Sequence, residues 1–161
     1  MSTLLPLILA ATVSWSPSQG PTCPQARPLT VTTMCLINEV RAADGAPRLR
    51  LDPRLARVAR RHSRDMVRNH YFSHTSPAGL SSSERIARSG WMRGRRRWAV
   101  GENLAWRLGA PRPRAIVRAW LRSRPHRKVM LSRRYHVVGV GIVAGTPAGG
   151  RGTTYTADFG S

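Results

Sequence analysis

Two β-branched runs stand late in the chain, after a series of helical patterns, and that order constrains the fold more than any other feature. Val137 to Val143 (VVGVGIV) is apolar, with glycines where a neighbouring element can approach closely, and Thr153 to Phe159 (TTYTADF) is the second run. Thr146 to Gly152, rich in Gly and Pro, is the turn that joins them. Helices first and paired strands afterwards give an α+β class with an antiparallel sheet rather than a βαβ series.

The helical patterns precede these strands. Met34, Ile37 and Val40 recur at helical spacing from about Val31 to Ala43, and Asp44-Gly45 stops that helix. The next starts at Asp52-Pro53, where Asp accepts the free amide bonds of the first turn and Pro fits the first helical position. Leu55, Val58, Ala59, His62 and Met66 share one face of it, with arginines on the other. Ser81 and Glu84 have capping-box spacing for a short helix from Ser82 to Ser89, ended by Gly90. A further helix from about Pro113 to Arg122 carries Ile116, Val117 and Trp120 on one stripe, and Pro125 is expected to close it.

At 161 residues and 41% hydrophobic content the chain fits one globular domain. Its net charge of +20 comes from 27 basic residues, all arginine except Lys128, against seven acids. So large a field attracts anions before any specific contact forms. Anionic lipid and cell-wall polymer are the expected partners, a small lipid-like ligand is a further option, and nucleic acid is not expected. The arginines are spread along the chain, a distribution that a GC-rich coding sequence also produces.

Leu4 to Val13 is a ten-residue apolar run followed by small and polar residues, the length of a secretory signal core and too short to span a bilayer. No Lys or Arg precedes it. The expected organisation is a signal at 1–20 with no assigned cleavage site, an extended Pro-rich lead at 21–33, and one domain at 34–161. A secreted protein without a membrane span after cleavage follows, and a monomer is expected. Cys23 and Cys35 are the only cysteines, and in an exported chain they favour one disulfide tying the lead to the first helix. With no third or fourth thiolate, these two are not read as a metal site.

Five histidines and seven carboxylates bound the candidate sites. His62 lies on an apolar helix face and reads as a core histidine; His70 and His136 have no neighbouring pattern. His74 sits in Tyr71-Phe72-Ser73-His74-Thr75-Ser76-Pro77, a loop leaving a rigid helix, where functional groups tend to sit. Glu102 lies between Gly101 and Asn103 and runs into Leu104-Ala105-Trp106; a carboxylate among apolar residues needs a partner. Two imidazoles and a carboxylate brought together can bind zinc with an open position, the carboxylate serving as base. Sequence spacing alone does not show that convergence.

Five stretches in order resemble the CAP superfamily, the cysteine-rich secretory, antigen 5 and pathogenesis-related proteins, in its compact bacterial form. They are His62 to Met66 (HSRDM), Tyr71 to His74 (YFSH), Gly101 to Trp106 (GENLAW), Trp120 to Arg127 (WLRSRPHR) and Val138 to Gly141 (VGVG), and the resemblance runs from about Cys35 to Phe159. It implies a three-layer α-β-α sandwich with a central antiparallel sheet and a cleft of two histidines and two acids. Matched motif by motif, His74 and His126 are the histidines and Glu102 the first acid. Where larger members carry the second acid, three residues after the Trp, this chain has Ser123. The resemblance associates the two histidines with a divalent cation such as zinc, and the family's reported roles include sterol and lipid binding, signalling and proteolysis.

The reading preferred is a secreted binding or signalling module without catalysis, because no carboxylate is placed to orient an imidazole beside Ser73 or Ser123 as a triad requires. The alternatives are a metal-dependent hydrolase with Glu102 as base and an arginine-based binder of anionic lipid or wall polymer. No catalytic residue is assigned.

Overall fold

The computed structural model describes Cys23 and residues 28–161, so the expected signal at 1–20 and residues 21, 22 and 24–27 of the lead lie outside the described residues. Along the chain come α1 (Leu29–Ala43), β1 (Arg50–Leu51), α2 (Pro53–Arg68), α3 (Ser82–Arg88), β2 (Val100–Leu108), α4 (Pro113–Arg122), α5 (Arg124–Leu131), β3 (Val137–Ala144) and β4 (Gly152–Gly160). The strands form one sheet in the order β1-β3-β4-β2, with β4 antiparallel to both of its neighbours. The sheet is antiparallel as the sequence implies, except that two-residue β1 joins β3 in parallel as the chain passes from α1 into α2.

Three elements differ from the sequence reading. Helix α1 begins at Leu29, so residues 29–33 of the supposed extended lead are already helical. Pro28 precedes the first turn without an amide to lose, and the Thr33 hydroxyl donates back to the Leu29 carbonyl. Pro125 does not close a helical segment: the break falls at Ser123, and Pro125 lies in the first turn of a new helix, α5, where a missing N–H costs nothing. The stretch around Glu102 is a nine-residue strand, β2, whose period of two is obscured because its first half is covered on both faces.

Helices α2 and α3 cover one face of the sheet and α1, α4 and α5 the other, a three-layer α-β-α sandwich. On the α1 side Leu36, Ile37, Val40, Ile116, Val117, Trp120 and Met130 pack against Val138, Val140, Tyr155, Ala157 and Phe159. A smaller cluster of Leu55, Val58, Ile86 and Trp91 lies on the α2 side. There α2 rests directly on β3. A Cβ added at Gly139 would fall 2.1 Å from the Ala56 nitrogen, and one at Gly141 2.1 Å from the Arg60 nitrogen, so only glycine admits this approach. Cys23 and Cys35 form a disulfide, with Cα atoms 5.7 Å apart, that fastens the residue ahead of α1 to the helix.

β2 is an edge strand, and its outer rim is covered by side chains. The Trp120 indole donates to the Leu104 carbonyl and the Tyr135 hydroxyl to the Val100 carbonyl. Gly101 makes room for that tyrosine, whose hydroxyl would sit 2.5 Å from an added Cβ.

Candidate functional site

The site is assembled on β2, because successive residues of a strand face opposite sides of a sheet. Glu102 points to the α2 side and Asn103 to the α1 side, and each fastens one histidine. The Glu102 Oε1 atom lies 2.7 Å from His74 Nδ1, and the Asn103 amide donates to the His126 carbonyl at 3.0 Å. Two adjacent residues thereby hold a loop of one layer and a helix of the other against the same strand.

His74 is delivered by the loop after α2. His70 takes φ 51°, a left-handed turn at the helix end, and the Tyr71 amide reaches back to the Met66 carbonyl. The Tyr71 hydroxyl donates to Asp65, and His62 Nε2 lies 3.0 Å from the Ser73 carbonyl. Burial and the bond to Asp65 push the Tyr71 hydroxyl well above its usual range, so it stays protonated as the donor. Arg85 completes the loop, donating at 2.7 Å to the His74 carbonyl and at 2.8 Å to the Leu80 carbonyl.

Arg85 is positioned by α3. The capping box forms as expected: Ser81 N–H donates to Glu84 Oε2 at 2.8 Å, and Glu84 N–H to Ser81 Oγ at 3.3 Å. One turn later Arg85 meets Glu102 Oε2 at 2.5 Å. Glu102 therefore has one oxygen on His74 and the other on Arg85, with its side chain only 2% exposed. Burial alone would raise its carboxyl, but the His74 hydrogen bond and the Arg85 charge outweigh it and hold the group below the ordinary carboxylate range. A carboxylate so committed is a weak proton acceptor.

A second carboxyl lies beside it. Asp158 on β4 is directly opposite Glu102 in the β2–β4 register, on the same sheet face, and is fully buried. Neither of its oxygens has a hydrogen-bond partner in good geometry. Burial and the neighbouring Glu102 charge raise Asp158 well above the usual aspartate range, which favours its neutral form. His62 is also nearer the site than its apolar helix face implied. It is buried and bonded as a core histidine should be, yet its Nε2 stands 3.9 Å from Glu102 Oε2. Burial, offset by Glu102, keeps its pKa low.

On the other side of β2, Ser123 is the extended residue between α4 and α5, and its hydroxyl lies 2.8 Å from His126 Nδ1. Burial and the nearby His74 lower the His126 pKa, which favours the neutral imidazole. The sequence-derived set of His74, Glu102, Ser123 and His126 thus divides into two braced pairs, carboxylate with His74 and hydroxyl with His126, so the expectation that no carboxylate orients either imidazole is wrong for His74. Each pair uses the histidine Nδ1, and among the described residues neither Nε2 has a hydrogen-bond partner. His74 keeps 56% of its side chain exposed. His70, whose Nδ1 lies 3.3 Å from the Pro147 carbonyl, and His136 take no part in these bonds.

Arg85 and Asp158 were missed by sequence reasoning. Asp158 had a visible signal, as the lone acid inside an otherwise uncharged strand run; Arg85 had none beyond its place one turn after a capping box.

The cysteine-rich secretory protein family, CAP, matches residues 35–159. The chain belongs to this family. Among curated relatives, the CAP chain is 37% identical over 108 residues to the membrane protein YlbC of Bacillus subtilis, covering 66% of this chain and 29% of that one. It is 34% identical over 108 residues to YkwD of the same organism, covering 67% and 40%. The chain thus spans less than half the length of either relative. An extracellular SCP-domain protein of Bacillus anthracis superposes with a TM-score of 0.65 at 32% identity, over 81% of this chain and 39% of that one. An outer surface protein of Borrelia burgdorferi shares the fold, with a TM-score of 0.65 at 21% identity over 80% and 88%. No helix among the described residues is long and apolar enough to cross a membrane.

Proposed function

We propose that this CAP domain is an extracellular binding module in which His74 and His126 take one divalent cation through their Nε2 atoms. The observation that carries the reading is the shared bracing: each imidazole has its Nδ1 held by the protein and its Nε2 without a partner. Metal-binding histidines are oriented through the second ring nitrogen in this way, often by a carboxylate. The low pKa of His126 suits a neutral ligand. When bound, such a cation supplies a Lewis-acidic centre with open positions for a small anionic ligand. Glu102 and Ser123 orient the histidines from behind.

Extracellular placement rests on the described location of the solved relatives and on the apolar run near the N-terminus. The hydrolase alternative is disfavoured because Glu102 has both oxygens engaged and its carboxyl is held low. A second reading, an amphiphile with an anionic head, has one observation in its favour. A cavity of about 680 Å³ lies between α1 and α4, lined by Leu29, Leu36, Ala115 and Ala119 together with Arg112 and Arg122.

Calorimetric titration of zinc into the wild-type protein, His74→Ala, His126→Ala and Glu102→Gln tests the proposal. The two histidine variants should each lose at least about tenfold in affinity and Glu102→Gln about tenfold, in line with a partner one bond behind the ligand. Equal affinities in all four proteins would remove the cation from the cleft, and turnover of a peptide or ester panel that Glu102→Gln abolishes would restore the hydrolase.

A further inference from the structure

We infer that the outer face of α2 is a docking surface for a linear phosphodiester polymer of the cell envelope, of the poly(glycerol phosphate) type. Arg54, Arg57, Arg61, Arg64 and Arg68 follow one another by three or four residues, so they fall within one narrow sector of the helix. Together they make a line about 21 Å long at 1.5 Å per residue. Arg60 flanks the line, and all six are exposed. None forms an ion pair among the described residues.

The two acids at the helix, Asp52 and Asp65, engage neutral donors rather than these arginines. Asp52 accepts the Arg54 and Leu55 amides and the Trp91 indole, while Asp65 accepts from Asn69 and the Tyr71 hydroxyl. Asp52 also ties the basic run Arg93 to Arg97 to the start of α2, through Trp91. Arg95 stacks on the Trp91 ring at 4.0 Å and donates to the Trp91 carbonyl. Arg93, Arg96 and Arg97 of the same run are also exposed.

The line is also rigid. The opposite side of α2 lies directly on Gly139 and Gly141, so the arginines are mounted on a helix whose backbone has no slack against the sheet. A preorganised row of guanidinium forks suits phosphate oxygens, which each fork can engage through two donors. Three features select the polymer over other polyanions. No large apolar side chain is exposed between Arg54 and Arg68, so the face lacks the residues that would enter a lipid interface. No aromatic stands between Arg54 and Arg68 to stack a base, the exposed Trp98 lying off the helix. Solved relatives are described as extracellular or outer-surface proteins, where envelope polymers are at hand. The surface shares no residue with the histidine cleft and does not depend on a cation there.

The test uses the full chain with its disulfide intact and deacylated poly(glycerol phosphate), over a salt series. R57Q/R61Q/R64Q should weaken binding at least about tenfold and lower the slope of log affinity against log salt by about two, as loss of three phosphate contacts on a flexible chain predicts. R48Q/R134Q/R151Q removes the same charge from exposed positions elsewhere and should weaken binding less than about threefold. Thermal melting accompanies each variant, and R54Q/R60Q/R68Q replaces the first triple if that one unfolds. Equal losses in the two charge-matched triples would overturn the surface in favour of a diffuse field. Equal or tighter binding of phosphatidylglycerol vesicles or oligothymidylate would overturn the polymer assignment.

Discussion

On the α1 side of the sheet, strands β3 and β4 present Val138, Val140, Tyr155, Ala157 and Phe159 to a deep apolar layer; on the α2 side the same strands present Gly139, Gly141, Thr156 and Asp158. The first face is filled by large side chains. The second gives up that volume so that a helix backbone can lie on the sheet, and it spends the remaining space on hydrogen bonds. Ser63, for example, lies 2.8 Å from the Thr156 hydroxyl and donates to the Gly141 carbonyl at 3.2 Å. One face supplies most of the apolar burial, and the other can therefore hold Glu102, Asp158, His62 and Arg85 close together. Partners from beyond α2 hold the carboxyl network on this side: His74 in the loop and Arg85 on α3 engage Glu102, while Asp158 is buried without one.

The largest effect that would break this contrast is expected at the glycines. Gly141→Ala forces a methyl group against the Arg60 and Ala59 backbone, which cannot yield as a side-chain tip would, and should destabilise the fold by about 3 kcal/mol or more. Val140→Ala, one residue away on the apolar face, removes volume and should cost about 1–2 kcal/mol. Urea unfolding of the two variants measures both; similar losses would mean that α2 is not seated as closely as the glycines imply.

Next in size is Arg85→Met. It leaves the buried Glu102 carboxylate without its cation and frees the His74 and Leu80 carbonyls, for an expected loss of about 3 kcal/mol. Adding Glu102→Gln should recover a good part of it, since the uncompensated charge is then gone. A double-mutant cycle with strictly additive losses would show that the two side chains do not act together.

The smallest effect is a slope. Asp158 is raised in the folded protein, so folded molecules keep a proton that unfolded ones release, and stability falls as pH rises above the usual aspartate range. Glu102 is lowered and acts in the opposite sense: its contribution is present above the usual glutamate range and fades as the pH is taken below it. Asp158→Asn should flatten the decline on the alkaline side and leave the acid limb in place. Parallel stability curves for variant and wild type from pH 4 to 9 would rule out a proton on Asp158.

The same contrast explains what could be read from the sequence. The apolar face follows from periodicity: the stripe of α1, the Ile116, Val117 and Trp120 stripe of α4, and the strand runs are local patterns. Helix α2 was equally plain, with its Asp52 cap and Pro53 start. The family motifs single out His74, Glu102, Ser123 and His126, which lie as two bonded pairs on either side of β2. What they left out is long-range. The pairing of Glu102 with Asp158 depends on the β2–β4 register, and that of Glu102 with Arg85 on a loop closing over the strand. Neither leaves a mark in local spacing. Helix α5 was lost for a different reason, because a proline that begins one helix looks in sequence like one that ends another.

The strand order β1-β3-β4-β2 has a consequence for how the molecule comes into being. β2 has only β4 beside it, and β4 is the later of the two along the chain. A nascent chain that has passed α5 but not Gly152 holds both histidines and Glu102, yet β2 has no neighbouring strand and no Asp158 faces Glu102. Closing the sheet is therefore a late, long-range event, of the kind that slows folding relative to local helix formation. A chain interrupted at that point remains an open thread with a cleft still to be made.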